Sequence, residues 1–423
     1  MNPEKTAAQR ETALIIETVS KETKKNEAKE LEKELKALLS TLDIDTVDSV
    51  IVKLDKPHPR YYLGTGKTEE IASLAEDYEA DVIVFDADLS PAQQRNIQEH
   101  TKRTVITRAE VILDIFATRA TTREAMLQVE LAKLQYALPR LKRAWTHLSR
   151  QRGGAKGTRG EGEKQIEVDK RIIQDNIAKV KSELEEVKRH RKTMRKRRES
   201  VPMITAAIVG YTNAGKSSLL NLLTDANVDA ENKLFATLDP TTRKVSLEGG
   251  QELLLTDTVG FIRRLPHDLI EAFHSTLEEA ALADFLIILV DASSHEAKDH
   301  FDTTMQVLRE LGGADKPFIL ALNKSDKLIP GDQDPTLHLF PEALKISAKT
   351  GKGIDELKTA IRHKLQQFTV IEKYRIPQSR YDVVAWLHRN ANVLKEEYED
   401  GVVLVKTRIP SSLKGKISQF SVT

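Results

Sequence analysis

The feature that most constrains this chain is the stretch Gly210-Tyr211-Thr212-Asn213-Ala214-Gly215-Lys216-Ser217, a full match to the phosphate-loop pattern. The apolar run 203–209 before it predicts a buried strand, and residues 218–223 after it predict a helix. In this context the glycines let backbone N–H groups face a polyphosphate, and Lys216 places its ammonium beside the outer phosphates. Ser217 is then the natural hydroxyl ligand for Mg2+. The sequence therefore predicts a polyphosphate site on an α/β sheet.

Two further motifs, each at the end of an apolar strand, indicate which nucleotide binds. The first is Asp257-Thr258-Val259-Gly260, where the Asp can hold Mg2+ through water and the Gly backbone can meet a terminal phosphate. The second is Asn323-Lys324-Ser325-Asp326, which is followed later by Ser347-Ala348-Lys349. The Asp326 carboxylate can accept two hydrogen bonds from guanine that adenine does not offer. In this order the motifs predict a GTPase that prefers GTP over ATP.

Composition limits the remaining possibilities. The chain has 423 residues, more than one typical domain needs, and its 65 basic and 64 acidic residues nearly cancel. The absence of cysteine excludes disulfides, thiolate metal sites and cysteine nucleophiles. The start of the chain lacks an apolar signal core, and no run of 18 apolar residues occurs. We therefore expect a cytoplasmic protein without a membrane span.

Residues 1–122 alternate apolar strand patterns with polar helix patterns, which predicts a small N-terminal α/β domain with a parallel sheet. Within it, Gly64-Thr65-Gly66-Lys67-Thr68 matches the end of the phosphate-loop motif, but Tyr61 occupies the position of the first glycine of that motif. A glycine turn leading into a helix is the favoured interpretation. A second nucleotide site and a loop that contacts a partner are the alternatives.

Residues 123–200 predict a long antiparallel helical hairpin. Apolar residues recur at spacings of four and three from Leu127 to Leu148 and again from Ile166 to Val187. Between these stripes, residues 153–162 contain five glycines, so we expect a flexible, non-helical tip. The stripes predict packing within the hairpin, with an intermolecular coiled coil as the alternative; a monomer is therefore expected.

Basic residues concentrate at both ends of this hairpin. Residues 142–159 carry six lysines and arginines around the tip, and residues 188–198 carry eight at the base. Such a cluster is either a solvated face or a surface neutralised by a polyanion, and RNA is the polyanion we favour. Residues 201–368 then form the predicted GTPase domain, and residues 369–423 predict a small α+β domain with a helix over Asp382 to Leu394.

Taken together, these motifs resemble the HflX family of ribosome-associated GTPases. The residues that carry the resemblance are Gly210 to Ser217, the segment from Phe235 to Arg243, the segment from Asp257 to Pro266, and the glycine-rich hairpin tip. The resemblance implies a P-loop GTPase domain, with a mostly parallel sheet and helices on both faces. It is preceded by the α/β domain and the hairpin and followed by the α+β tail.

The resemblance also implies roles for individual residues. Lys216, Thr237 and Gly260 would be catalytic, and Ser217 and Thr237 would bind Mg2+; from the residues alone, Thr241 and Thr242 are equally able to reach the metal. The GTP-binding residues would be Gly210, Tyr211, Thr212, Asn213, Ala214, Gly215, Lys216, Ser217, Phe235, Ala236, Thr237, Leu238, Asp239, Asp257, Thr258, Val259, Gly260, Asn323, Lys324, Ser325, Asp326, Ser347, Ala348 and Lys349.

One position departs from the common GTPase pattern. Many GTPases place a glutamine directly after the Asp-x-x-Gly motif to orient the attacking water, whereas Phe261 stands there in this chain. We therefore expect slow intrinsic hydrolysis that needs an external activator. Asn213 occupies the position where some GTPases bind K+ beside the phosphates, so K+ is a candidate for part of the missing stabilisation. A hydrogen bond that stabilises the loop is the alternative role for Asn213.

The function that the resemblance implies is a cytoplasmic GTPase that binds GTP and GDP and docks on the large ribosomal subunit through its rRNA. It would hydrolyse GTP when the ribosome stimulates it and split stalled or idle ribosomes, with peripheral association to ribosomes or membrane. The alternative is a GTP-dependent RNA-binding or ribosome-assembly factor without splitting activity. A tRNA-modifying GTPase would share Asn213 but would need a C-terminal cysteine that this chain lacks.

Overall fold

The computed structural model describes residues 10–23, 25–144, 159–198, 203–224, 234–248, 250–264, 279–328 and 335–422. Contacts divide the chain into two units. The described residues of the first unit lie within 10–185 and at 234–235, and the second unit contains the other described residues. Of the three sheets in the described residues, the first unit contains one and the second unit contains two. The fold class expected from the sequence is confirmed.

The first unit begins with a four-stranded parallel sheet in the order β2-β1-β3-β4. Its elements are β1 Thr12–Ser20, α1 Lys25–Thr41, β2 Asp45–Leu54, α2 Thr65–Asp77, β3 Val82–Asp86, α3 Pro91–Thr101, β4 Thr104–Thr107 and α4 Arg108–Arg119. The apolar residues of β1 and β3 are fully buried, as expected for strands covered on both faces. The helix predicted after Gly64 is confirmed, because α2 begins at Thr65; Gly64 itself has an extended backbone, with φ of −66° and ψ of 155°.

Two long helices follow, α5 over Arg123–Ala144 and α6 over Arg159–Arg198. An ion pair between Arg123 and Glu183 joins them, and the side chains of Leu127 and Leu184 are buried. Residues 153–158 of the expected tip lie outside the described residues. The expectation of a non-helical segment up to residue 162 is wrong, because 159–162 belong to α6. A glycine costs about 1 kcal/mol in a helix interior, which propagation of a 40-residue helix can offset.

The second unit contains a six-stranded sheet in the order β10-β9-β8-β5-β7-β6, in which only the β6–β7 pair is antiparallel. Its elements are β5 Thr205–Gly210, α7 Lys216–Thr224, β6 Thr241–Leu247, β7 Gln251–Asp257, β8 Phe285–Asp291, α8 Ala297–Glu310, β9 Phe318–Asn323, α9 Pro335–Leu339, β10 Leu344–Lys345 and α10 Ile354–Gln367. The buried core joins β5, β7 and β8 to α7 and α10. Because β5, β7, β8 and β9 run parallel, their carboxyl ends meet at one edge of the sheet.

The second unit ends with a three-stranded antiparallel sheet in the order β11-β13-β12. It comprises β11 Thr369–Pro377, α11 Tyr381–Asn390, β12 Asn392–Glu399 and β13 Val402–Pro410, and α11 packs on one face of the sheet. The prediction of a helix as far as Leu394 is wrong: the helix ends at Asn390, and Val393 pairs with Thr407 of β13. Hydrogen bonding to β13 is a tertiary effect that the local pattern does not contain.

Candidate nucleotide-binding site

The phosphate loop connects the end of β5 to the start of α7, as the motif predicts. The Lys216 ammonium is buried and donates to the carbonyl oxygens of Gly210 at 3.2 Å and Tyr211 at 2.9 Å. Burial lowers the pKa of Lys216 to about 8, while the charge of Asp257 acts in the opposite direction and that of Lys324 adds to the lowering. The ammonium is thus held inside the loop, where a phosphate group would compensate its charge.

Three oxygen-bearing side chains meet beside this loop. The Ser217 hydroxyl donates to Oδ2 of Asp257 at 2.6 Å, and the Thr237 hydroxyl lies 2.8 Å from that of Ser217 and 3.1 Å from the same carboxylate oxygen. The hydroxyl of Thr242 instead lies 2.9 Å from that of Thr256, so the structure brings Thr237 and not Thr242 to Ser217.

This oxygen cluster suits a hard divalent cation. The Oδ1 atom of Asp257 is buried and has no hydrogen-bond partner in the described part of the chain. Burial raises the pKa of Asp257 above its ordinary value, whereas Lys216 and the two hydroxyls act to lower it. Because Mg2+ prefers oxygen ligands and retains several waters, two hydroxyls with a carboxylate behind them match its needs. Ser217, Thr237 and Asp257 could therefore hold Mg2+.

The segment after Asp257 lies against the phosphate loop through its backbone. The Thr212 N–H donates to the carbonyl of Phe261 at 2.7 Å, and the Phe261 N–H donates to that of Gly210 at 3.1 Å. A Cβ atom on Gly260 would lie 2.9 Å from Nζ of Lys216 and 2.8 Å from Cα of Thr212, so only glycine fits there. Gly260 thus lies directly against Lys216 and Thr212 of the phosphate loop.

The residues predicted to bind guanine lie at the end of β9 and in the loops after β9 and β10. The Asn323 side chain donates to the carbonyl of Ala214 at 2.7 Å and accepts from the N–H of Ala348 at 2.9 Å. The Ser347 hydroxyl donates to Asp326 at 2.6 Å, and this bond is the main reason that the pKa of Asp326 is lowered. Asp326 is therefore held as an oriented carboxylate, the form that guanine recognition requires.

Other predicted residues have buried apolar side chains. Leu238 and Val259 are buried apolar side chains, and Phe235 lies in the first unit, where its ring meets that of Phe116 edge-on at 4.7 Å. Thr258 is fully buried, and its hydroxyl donates to the carbonyl of Ile208 at 2.7 Å. The remaining predicted residues lie in the same loops; they are Gly215, Ala236, Asp239, Ser325 and Lys349.

Asn213 has a distinct environment. Its backbone is left-handed, with φ of 59°, and its side chain is exposed. No described residue hydrogen-bonds its amide, so the alternative role in loop stabilisation has no side-chain bond to support it. Asparagine tolerates this backbone conformation better than most residues do. The amide oxygen is consequently available to a ligand.

Sequence reasoning missed a second set of residues around Tyr211. The Tyr211 ring stacks on His300 at a centroid distance of 3.9 Å, and its hydroxyl accepts from the N–H of Arg263 at 2.9 Å. Arg263 in turn donates to both carboxylate oxygens of Glu296. These contacts link the phosphate loop, the segment after Gly260 and the start of α8. No local pattern marks His300 or Glu296, because the contacts arise only from the fold.

A further missed residue is Asp291, whose carboxylate pairs with Lys324 at 2.8 Å. Lys324 has a left-handed backbone, with φ of 61°. Asp291 is the last residue of the apolar strand β8, so a polar side chain at a strand's carboxyl end was the signal that could have revealed it.

Comparison with protein-family models covers most of the chain. Residues 29–117 match the model described as GTP-binding GTPase N-terminal, and residues 119–198 match the GTP-binding GTPase Middle Region. Residues 205–324 match the 50S ribosome-binding GTPase, and residues 339–417 match the HflX C-terminal domain. The chain is also 47% identical to a GTPase HflX of Akkermansia muciniphila, over 97% of each protein. The chain belongs to the HflX family of GTPases.

As an HflX GTPase it binds guanine nucleotide at a P-loop and hydrolyses GTP, and GTPases of this class generally use Mg2+. A second HflX relative, from Lacrimispora saccharolytica, is 47% identical over 90% of this chain and 89% of that protein. Among solved structures, a GTP-binding protein from Sulfolobus solfataricus in complex with GDP is 26% identical, with a TM-score of 0.45 over 84% of this chain and 99% of that one. None of the described helices of this HflX chain has the length and apolar character of a membrane span.

Proposed function

We propose that this HflX GTPase docks on the large ribosomal subunit, hydrolyses GTP there under stimulation by the ribosome, and splits stalled or idle ribosomes. The observation that carries the proposal is the match of residues 205–324, which contain the phosphate loop and Asp257, to the family described as a 50S ribosome-binding GTPase. Phe261 adds support, because a GTPase without a water-orienting glutamine needs an activator.

In this proposal different residues of the site bind the phosphates, the guanine ring and Mg2+. The backbone N–H groups from Tyr211 to Ser217 and the Lys216 ammonium bind the phosphates, and Asp326 accepts hydrogen bonds from the guanine ring. Ser217 and Thr237 hold Mg2+, which neutralises charge on the outer phosphates when it is bound. Gly260 presents its backbone N–H to the terminal phosphate. Water then attacks the terminal phosphorus, and GDP and inorganic phosphate are released.

The switch in this proposal consists of the segments that carry Thr237 and Gly260. The Thr237 hydroxyl already lies 2.8 Å from that of Ser217, so the binding of Mg2+ and a terminal phosphate would add ligands to an existing arrangement. Loss of the terminal phosphate removes the partner of Gly260 and frees the segment that follows it. The GTP state would thus hold the ribosome, and hydrolysis would release it.

We also propose that K+ binds beside the phosphates at Asn213, where it would stabilise charge that develops during hydrolysis. The exposed side chain of Asn213, which has no hydrogen-bond partner among the described residues, supports this role. The proposed partner surface for rRNA is the basic base of the hairpin at 188–198, where seven side chains lie outside the described residues. We propose that the protein is cytoplasmic. We also propose that it is a monomer, since the ion pair between Arg123 and Glu183 joins α5 to α6 within one chain.

Ribosome splitting is tested by sedimentation. Intact ribosomes are mixed with the protein and either a non-hydrolysable GTP analogue, GTP or GDP, and then separated on a sucrose gradient. The proposal predicts free subunits with the analogue and with GTP, no splitting with GDP, and no splitting by the Lys216→Ala variant. Co-sedimentation with intact ribosomes in every nucleotide state would instead establish the alternative, a docking factor without splitting activity.

A further inference from the structure

The C-terminal three-stranded sheet has one face that carries an unusual set of charges. Tyr374 and Ile376 of β11 and Val403 and Val405 of β13 are buried on the face covered by α11. Since side chains alternate along a strand, the residues between them occupy the opposite face. We call this opposite face the basic face; its cations are Lys373, Arg375, Lys395, Lys406 and Arg408, and its carboxylates are Glu397 and Glu399.

Strand register aligns three of these cations in one row. Lys406 in the central strand is paired with Lys373 on one side and with Lys395 on the other. Neighbouring strands lie about 4.8 Å apart, so the three lysines form a row about 10 Å long. Like charges directly opposite each other destabilise a sheet. Repulsion within this row therefore destabilises the sheet, and the fold does not need lysine at these three positions.

Most of these charges have no counter-charge. Lys395 pairs with Glu397, but Lys373, Arg375, Lys406 and Arg408 make no ion pair or side-chain hydrogen bond within the described part of the chain. Lys373, Arg375 and Lys406 are exposed, and Arg408 is half-buried. Elsewhere in this domain, Lys414 of the segment after β13 is paired with Glu372 of β11, so unpaired cations are not the rule for the domain. A polyanion is the partner that this arrangement suits.

The chemistry of the basic face favours the backbone of an RNA duplex over other polyanions. The residues of β11, β12 and β13 on this face include no aromatic side chain, so it lacks the platforms on which unpaired bases stack. Its apolar residues are few, chiefly Ile371 and Leu404, and lysine is depleted in protein–protein interfaces. Duplex RNA, by contrast, is recognised largely by shape and by its phosphates and 2′-hydroxyls.

We propose that the basic face of the C-terminal domain binds the phosphate backbone of double-stranded RNA. The lysine row places point charges along the backbone, while Arg375 and Arg408 offer donors in a planar fork on the two sides of that row. The residues of this surface are different from those of the guanine-nucleotide site and of the hairpin. Its binding to RNA therefore depends neither on ribosome splitting nor on GTP hydrolysis.

The test uses the full-length protein with GDP bound and a labelled RNA duplex of arbitrary sequence, and it measures affinity by fluorescence anisotropy over a range of salt concentrations. The Lys373→Gln/Lys406→Gln variant removes two unpaired charges from the row. We expect weaker binding to the duplex and a salt-dependence slope that is smaller by about 0.9 for each phosphate that the variant no longer neutralises. GDP affinity and the melting temperature, which report on folding, should stay at the wild-type values.

The matched control is Lys358→Gln/Lys364→Gln on α10, which removes two cations that likewise have no ion pair within the described residues. It should bind the duplex with the wild-type affinity and slope. The proposal is overturned if the two double variants bind the duplex equally well, or if one strand of the duplex alone binds as tightly as the duplex does. It is also overturned if poly-glutamate of equal charge competes better than duplex RNA, since the face would then belong to an acidic protein partner.

Discussion

The Asn323 side chain ties the guanine side of the site to the phosphate loop, because its Nδ2 donates to the carbonyl of Ala214 at 2.7 Å. Its Oδ1 accepts from the N–H of Ala348 at 2.9 Å, so one amide holds two loops in register. Gly215 permits this approach: a Cβ there would lie 2.3 Å from Nδ2 of Asn323. The placement of the phosphate loop relative to the loop after β10 thus depends on the Asn323 amide.

Replacing Asn323 with alanine should therefore disturb the whole pocket. Asn323→Ala leaves the Ala214 carbonyl and the Ala348 N–H without partners, which should lower the free energy of unfolding by about 1–3 kcal/mol. GDP affinity, measured with a fluorescent analogue, should fall roughly tenfold or more, a change of about 1.4 kcal/mol. The control Gln306→Ala removes an exposed amide on α8 and should change neither quantity. Wild-type GDP affinity in Asn323→Ala would contradict the role assigned to this amide.

Changing the charge of Asp326 should change the choice of base. Asp326→Asn replaces one acceptor oxygen with a donor, so it mismatches guanine and matches the 2-oxo group of xanthine. We expect GTP to bind at least roughly tenfold more weakly and XTP to bind more tightly than it does to the wild type, since hydrogen bonds to charged groups contribute about 1.5–3 kcal/mol. Competition binding measures both affinities. The control Asp355→Asn changes an exposed carboxylate and should keep the preference for GTP. If Asp326→Asn still preferred GTP to XTP, Asp326 would not be the residue that recognises guanine.

The motifs of this site could be predicted from the sequence because each one consists of residues that are close together along the chain. Gly210 to Ser217 and Asn323 to Asp326 each lie within a few residues, and each follows an apolar strand that the pattern of residues reveals. The contacts of His300 with Tyr211 and of Asp291 with Lys324 could not be read, because they join residues that the fold alone brings together. The helix end at Asn390 was missed for the same reason: pairing of β12 with β13 decides it.

Phe261, which stands in place of the glutamine of other GTPases, is a buried residue. Its side chain is 1% exposed and its backbone pairs with the phosphate loop, so the ring is packed in the core. Phe261→Gln should therefore lower the free energy of unfolding by about 2–4 kcal/mol without raising the intrinsic hydrolysis rate. The control Phe261→Leu keeps an apolar side chain and should cost less. A tenfold faster single turnover in Phe261→Gln would show that a glutamine here can reach the water.

The proposed K+ site gives a prediction about Asn213. Hydrolysis by the wild type should be severalfold faster in K+ than in Na+ at equal ionic strength, because the larger ion fits beside the phosphates with the Asn213 amide oxygen as a ligand. Asn213→Gly preserves the left-handed backbone and removes the amide, so it should lose the K+ effect while still binding GDP. Equal wild-type rates in matched K+ and Na+ buffers would eliminate the site.

The most direct test of the central claim is GTP turnover by the purified protein, measured alone and with purified large ribosomal subunits, with Lys216→Ala as the inactive control. Without a water-orienting side chain, the protein alone should hydrolyse GTP at a rate on the order of 10⁻⁴ s⁻¹. Large subunits should raise that rate at least roughly tenfold, equivalent to about 1.4 kcal/mol off the barrier. Turnover that large subunits leave unchanged would contradict the ribosome as activator.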